Sequence, residues 1–290
     1  MPTIEEHLTW IRQKSTNAEV AAEHKASEQP AQLYLPGFDD VGALPNHLNR
    51  SSLIAPIARG RRKHHIQTVM VTRRDCVLEY TGQQFDESDG DLIMALIFFA
   101  KHSPLGTPVP LKRAELLRKL ERGTGKSQYD WLYRSMKRLR EGTMFLEARK
   151  PDGSTRYSVG KMLSFSILKE LDYDSTTEKY SYTLDPRWVI LFSNQEYALI
   201  NWDKRMQIGR GQDMAKTLQR LVATSSDPVQ RYALDWLKDK MEYASPMRKF
   251  EDSLEAAVQE LVRLEIIVKG CIENSTKGKK QLSLWLQPSA

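Results

Sequence analysis

The chain has 290 residues and a formal charge of +6, and its balance of 40% hydrophobic to 28% charged residues is that of a soluble globular protein rather than a disordered one. No apolar run approaches the roughly 20 residues of a membrane helix, and the acidic start MPTIEEHLTW does not resemble a signal peptide. Two cysteines, Cys76 and Cys271, are too few for a disulfide framework or a zinc site, so a cytoplasmic protein of two ordinary domains is expected.

Thr3–Glu6 reads as a capping box that opens a short helix through Lys14. A polar Ala/Glu-rich stretch and the breaks LPGF and VGALPN follow, so residues 1–50 read as a flexible arm. The basic cluster RGRRKHH (Arg59–His65) is either a phosphate-tracking arm, through Arg59, Arg61, Arg62 and Lys63, or a soluble linker. His64 and His65 have no partner cluster with metal-ligand spacing, and no metal or cofactor is expected. IQTVMVTRRDCVLEYTGQQF alternates like two strands, and DLIMALIFFAKH reads as a buried helix capped by Asp89 or Asp91.

The pattern then changes. LKRAELLRKLE predicts a short helix, RGTGKS a break, and QYDWLYRSMKRLREG a second helix ending at Gly142 as its C-cap. At about 100° per residue, Tyr129, Leu132, Met136 and Leu139 share one face, with Ser127, Asp130, Arg134, Lys137 and Arg138 opposite. This is the pattern of a helix-turn-helix. Lys126, Ser127, Arg134, Lys137 and Arg138 are its candidate DNA contacts, Arg134 and Arg138 being able to grip guanine or phosphate bidentately. RGTGKS imitates the tail of a phosphate-binding loop, but Leu120 stands where that motif needs glycine and a helical pattern precedes it.

TMFLEARKPDGSTRYSVG predicts a hairpin that would serve as a wing beside this helix, with KMLSFSILKELDYD, STTEKYSYTLD and WVILF as further strands. The second half repeats the order: two helices, the break SPMRK, the helix FEDSLEAAVQELVRLE, and a hairpin around Asn274–Lys280. Arg248, Lys249, Gln259 and Arg263 are candidate DNA contacts on its outer face, with Lys277, Lys279 and Lys280 adding charge in the hairpin. The expected fold is α+β: two tandem winged-helix domains, residues 51–193 and 194–290, behind the arm. No Cys/His or Ser/His arrangement suggests an enzyme.

From Gln32 onward the chain resembles the TrfA-type plasmid replication initiators. QLYLPGF, LNRSSLIAPIARGRRKHH, VLEYTGQQFDESD, KHSPLGTPVPLKRAELLRKL and DKMEYAS…FEDSLEAAVQELVRLEIIVKG carry the resemblance. It implies a bacterial cytoplasmic protein that binds direct repeats (iterons) of double-stranded origin DNA, opens the adjacent AT-rich tract with its single strand, and recruits the host replicative helicase and initiator. It further implies active monomers in equilibrium with inactive dimers joined through the first domain. A winged-helix repressor or partition-type DNA-binding protein is the alternative. The family's sliding-clamp peptide would correspond to QLYLPGF, with Gln32, Leu33, Leu35 and Phe38 entering the clamp's groove, unless that stretch packs on its own domain. The closer textual match, QLSLW near the C-terminus, alternates like a strand whose backbone is already paired.

Overall fold

A computed structural model describes residues 35, 41–57, 62–160, 165–192 and 196–287. In chain order the first elements are β1 (Val41–Pro45), α1 (Asn46–Arg50), β2 (His64–Val69), β3 (Cys76–Gln83), α2 (Glu87–Ala100), β4 (Val109–Lys112), α3 (Arg113–Lys119) and α4 (Lys126–Glu141). There follow β5 (Thr143–Arg149), β6 (Thr155–Val159), β7 (Phe165–Ser166), β8 (Leu168–Asp174), β9 (Lys179–Leu184), α5 (Trp188–Phe192), β10 (Tyr197–Asn201) and α6 (Trp202–Met206). The last are α7 (Asp213–Val222), β11 (Val229–Ala233), α8 (Leu234–Lys240), α9 (Met247–Arg263), β12 (Lys269–Asn274) and β13 (Lys280–Trp285).

The described residues form one compact unit with two hydrophobic cores, one running from Leu35 to Trp202 and the other from Ile208 to Leu284. Helix α2 is the axis of the first core. Asp86 accepts from the Asp89 backbone N–H while the Asp89 side chain accepts from that of Asp86, a complete capping box. Leu92–Ile97 are all buried, as expected of a helix surrounded by protein on every side.

The same supersecondary unit occurs twice. In the first lobe α2, β4, α3 and α4 lead to the β8–β9 hairpin, in a sheet ordered β4-β9-β8; in the second α7, β11, α8 and α9 lead to β12–β13, ordered β11-β13-β12. The correspondence reaches single residues. Glu121 after α3 and Glu242 after α8 both adopt left-handed backbone, φ 51° and 49°. The next amide donates back to the helix in each case, Arg122 N to Leu117 O at 2.8 Å and Tyr243 N to Lys238 O at 3.0 Å, a closure that tightens the helix C-terminus. The buried stripe Leu132, Ser135, Met136, Leu139 of α4 matches Leu254, Ala257, Val258, Leu261 of α9.

Four expectations need correction. The hairpin at Pro151–Gly153 is not the strand pair that closes the first repeat: β5 and β6 belong to a separate antiparallel sheet, β2-β3-β5-β6, and β8–β9 takes the expected position beside α4. WVILF forms a helix, α5, rather than a strand. Val41–Arg50, assigned to the arm, is built into the fold, because β1 pairs antiparallel with β10 and Leu44 and Leu48 are fully buried. That pairing also extends the first core to Trp202, beyond the boundary expected at residue 193. The expected helix at Thr3–Lys14 lies outside the described residues.

Gly142 does follow α4, but with φ −69° it is extended and does not act as a left-handed cap. Its requirement is space: a Cβ there would sit 2.6 Å from Tyr80 Oη, where β3 and β5 meet the end of the helix.

Candidate nucleic-acid interface

Helix α4 packs through Leu132, Ser135, Met136 and Leu139 and leaves Lys126, Ser127, Asp130, Tyr133, Arg134, Lys137 and Arg140 exposed. Four of these are cations and one an acid, with Glu141 a second exposed acid at the end of the helix, so the outer face is electropositive. Lys137 lies 3.6 Å from Glu141, a solvent-exposed pair of little strength; Lys126, Arg134 and Arg140 have no ion-pair partner among the described residues. The RGTGKS segment is the turn between α3 and α4, preceded by a helix rather than the strand a nucleotide-binding loop requires. Arg122 in that turn stacks 3.7 Å from the Trp131 ring centroid, which fixes the start of α4. Tyr133, 55% exposed, and Arg140 are additions to the expected contact set. At about 100° per residue they lie roughly 20° and 40° from Lys126, on the side away from Arg134, a signal the apolar stripe alone does not reveal.

Two expected contacts point inward. Arg138 is only 8% exposed: its Nε and Nη2 both donate to the Asp89 carboxylate at 3.1 Å, and Nη1 donates to Gln83 at 2.8 Å. Arg62 grips the same carboxylate at 2.8 Å and also pairs with Asp86. Asp89 is fully buried, so its charge must be matched by these two guanidiniums. The nearby Asp86 carboxyl is pushed up to about 6 by burial and by the Asp89 charge. Arg138 and Arg62 therefore anchor α4 and the start of β2 to the capped end of α2, and neither is available to a nucleic acid. Arg59 and Arg61 lie outside the described residues, and the exposed Lys63 pairs with Glu242 at 2.7 Å.

On α9 the outward face carries Arg248, Lys249, Asp252, Glu255, Ala256, Gln259 and Arg263. Register with α4 places Arg248 at the position of Lys126, Asp252 at that of Asp130, Ala256 at that of Arg134 and Gln259 at that of Lys137. The second helix thus holds Arg248 and Lys249 at its N-terminus, the acids Asp252 and Glu255 beside small Ala256 and neutral Gln259 farther along, and Arg263 in its last turn. Arg263 is engaged by Glu260 at 2.8 Å and by the Gln207 carbonyl at 3.1 Å, and Lys280 by Glu251 at 2.8 Å. Lys277 and Lys279 stand exposed at the β12–β13 turn. Arg248, Lys249, Gln259, Lys277 and Lys279 remain presented as expected.

Of the peptide expected to dock on a sliding clamp, Gln32, Leu33 and Phe38 lie outside the described residues. Leu35 is 4% exposed within the first core, so it packs on its own domain and cannot enter a partner's groove without leaving that core. QLSLW falls in β13, the central strand paired on both sides, by β11 and by β12. Among the described residues no group of three or more His, Cys, Asp or Glu is placed to hold a metal, and no helix is long and apolar enough to cross a membrane.

Comparison with known proteins agrees with this architecture. A crystal structure of selenomethionine derivatives of domains 2 and 3 of RctB covers 81% of this chain and 95% of its own, at 13% identity and a TM-score of 0.50, a likeness of fold alone. A second RctB structure, of domains 2–3, covers 83% and 96% at 14% identity and a TM-score of 0.48. No curated protein matches the sequence. The family model described as TrfA protein matches residues 19–268, spanning both lobes up to the last hairpin. The chain therefore belongs to the TrfA family of replication initiators.

Proposed function

We propose that this protein starts plasmid replication by binding directly repeated origin DNA through two winged-helix units, one per lobe, and that it then promotes opening of the adjacent AT-rich duplex and recruits the host helicase and initiator. It acts by binding, without catalysis of its own. The observation that carries this reading is the doubling of one unit. Each lobe sets an outward helix beside a β-hairpin, and both helices begin with cations that have no ion-pair partner among the described residues, Lys126 in one and Arg248 with Lys249 in the other. Helices of this kind enter major grooves, and two on one chain read two successive stretches of a site.

The two units would divide the work. On α4, Arg134 and Lys137 supply charge along the middle of the helix, suited to guanine and phosphate. On α9, Ala256 and Gln259 occupy the equivalent positions, so contact there would be close and hydrogen-bonded rather than ionic, with Gln259 suited to adenine. Replacing Arg134 with alanine is expected to weaken binding to an origin duplex by about 1–3 kcal/mol and to relax preference at one base pair. Fluorescence anisotropy titrations at fixed salt, with the natural repeat and single-base variants, check this. Unchanged affinity would remove Arg134 from the interface, and no measurable binding of any origin repeat by the unaltered protein would sink the functional reading itself.

A further inference from the structure

Between the two cores lies a cleft of about 560 Å³. One wall is the turn joining β2 to β3, which contributes Arg73, Arg74 and Asp75; the other is β11 with the first turn of α8, which contributes Arg231, Tyr232 and Trp236. The two aromatic rings are nearly parallel, 17° apart with centroids at 6.1 Å, and the Arg73 guanidinium lies 5.4 and 5.6 Å from those centroids. Trp236 Nε1 donates to the Thr72 carbonyl at 3.2 Å, tying the walls together.

The charges in this cleft do not balance. Asp75 is its one lining carboxylate among the described residues, and Arg50 already engages it at 3.3 Å. Arg73, Arg74 and Arg231 have no carboxylate within ion-pair distance among the described residues. Arg73 bears on the Arg50 charge as well, and Glu273 reaches Arg231 only beyond ion-pair distance, so the lining keeps a net positive charge that favours an anion from outside. Guanidinium forks match phosphate oxygens, and Arg73 is held in place by its stacking on the rings, which lowers the entropy lost on contact.

Position supplies the second argument. Helix α8 is the first helix of the second lobe's helix-turn-helix, and in that motif the first helix crosses the DNA backbone while the second enters the groove. A strand crossing the start of α8 meets Arg231 and Trp236, and then the Arg73–Arg74 turn of the other lobe.

We propose that this cleft binds the phosphodiester backbone of the same duplex whose grooves α4 and α9 enter, clamping it between the lobes; the proposal rests on the DNA-binding reading above. It is tested with the full-length double variant Arg74→Glu/Arg231→Glu. Both residues are exposed, and Arg73 stays on its aromatic platform. Anisotropy titrations against an origin duplex over a series of KCl concentrations should show the slope of log affinity against log salt becoming shallower by about two, one for each lost phosphate contact. Affinity should drop by a similar factor for the natural repeat and for a scrambled duplex, since phosphate contacts carry no sequence information. Arg134→Ala in the same assay should instead lose discrimination between those duplexes. If the double variant melts like the unaltered protein and keeps its salt slope on duplex, the assignment is overturned, even if binding of a single-stranded probe or an acidic peptide declines. Because that comparison requires the unaltered protein to bind duplex, its failure is distinct from failure of the initiator reading.

Discussion

Replacing Glu87 with alanine should destabilise the protein by about 3–5 kcal/mol at neutral pH, the cost of leaving buried cations without their counter-charge. Glu87 belongs to the first turn of α2 in the first lobe and is fully buried. Its carboxylate accepts from Arg220 Nε at 3.1 Å, Arg205 Nη2 at 2.8 Å and the Thr217 hydroxyl at 2.6 Å, all across the seam between the cores. Both arginines are also fully buried. One turn along α2, Asp91 pairs with Arg205 and with Lys216, the latter at 2.6 Å. Two carboxylates thus hold three cations inside the molecule. Burial alone would raise the Glu87 pKa, but Arg220 and Arg205 outweigh it and bring the group down to about 2.

A depressed carboxylate contributes stability that is complete above its unfolded value of about 4.5 and is lost as pH falls toward 2. The unaltered protein should therefore lose stability between about pH 4.5 and 2, and the variant should lack that component. Urea unfolding at neutral pH and near pH 3 measures both quantities. A difference under 1 kcal/mol at neutral pH would mean that the guanidiniums find water or another acceptor when the carboxylate is gone.

The second large effect concerns Lys240 at the end of α8, whose charged form the fold disfavours where it favours that of Glu87. This lysine is fully buried, and its Nζ donates to the Ser51 carbonyl at 3.0 Å. Burial, then the Arg220 charge, lowers its pKa from 10.5 to about 7, with Glu87 opposing. Above about pH 7 the folded protein has released a proton that the unfolded chain still holds, so stability rises with pH, by at most about 1.4 kcal/mol per unit. Two other sets of groups flank the window, the first with the same sign as Lys240 and the second against it. The buried His47 and His65, whose pKa values are lowered by burial, act below 6.5. Cys76, pushed up to about 12 by burial, offsets the trend from about 9 upward, because there the unfolded thiol ionises while the folded one does not. Between about pH 7 and 8.5 the unaltered protein should gain about 1–2 kcal/mol, and Lys240→Met should show less than half of that gain. Equal gains in both proteins would show that Lys240 keeps its proton through this range.

Helix periodicity made most of the fold legible. The apolar stripes of α4 and α9, the buried run of α2 and the turn at RGTGKS all follow from spacing within about 15 residues. The failures share one cause, dependence on partners far away in sequence. Whether the Thr143–Val159 hairpin joins β9 or β3 is decided by tertiary pairing, which alternation cannot specify. WVILF is apolar throughout and short, so its composition suits a buried strand or a buried helix equally. Arg138 looked outward because it sits at the edge of the apolar stripe, where the inward or outward choice depends on Asp89 beneath it. The clue was present in FDESDGD: its acids exceed what one helix cap needs, and Glu87, Asp89 and Asp91 each answer an arginine elsewhere. Leu35 shows the same limit, since a short apolar segment fits its own core as readily as a partner's groove.

The ion cluster at Glu87 also bears on how such a protein can be rebuilt. Two similar lobes in tandem invite exchange, one half swapped for a relative's. Here the halves are keyed. A donor second lobe without basic residues at the positions of Arg205 and Arg220 would bury a bare carboxylate, and a donor first lobe without the acid would strand two guanidiniums. Chimeras should be cut so that α2 and the α6–α7 segment come from one parent, with only α3–α4 or α8–α9 exchanged.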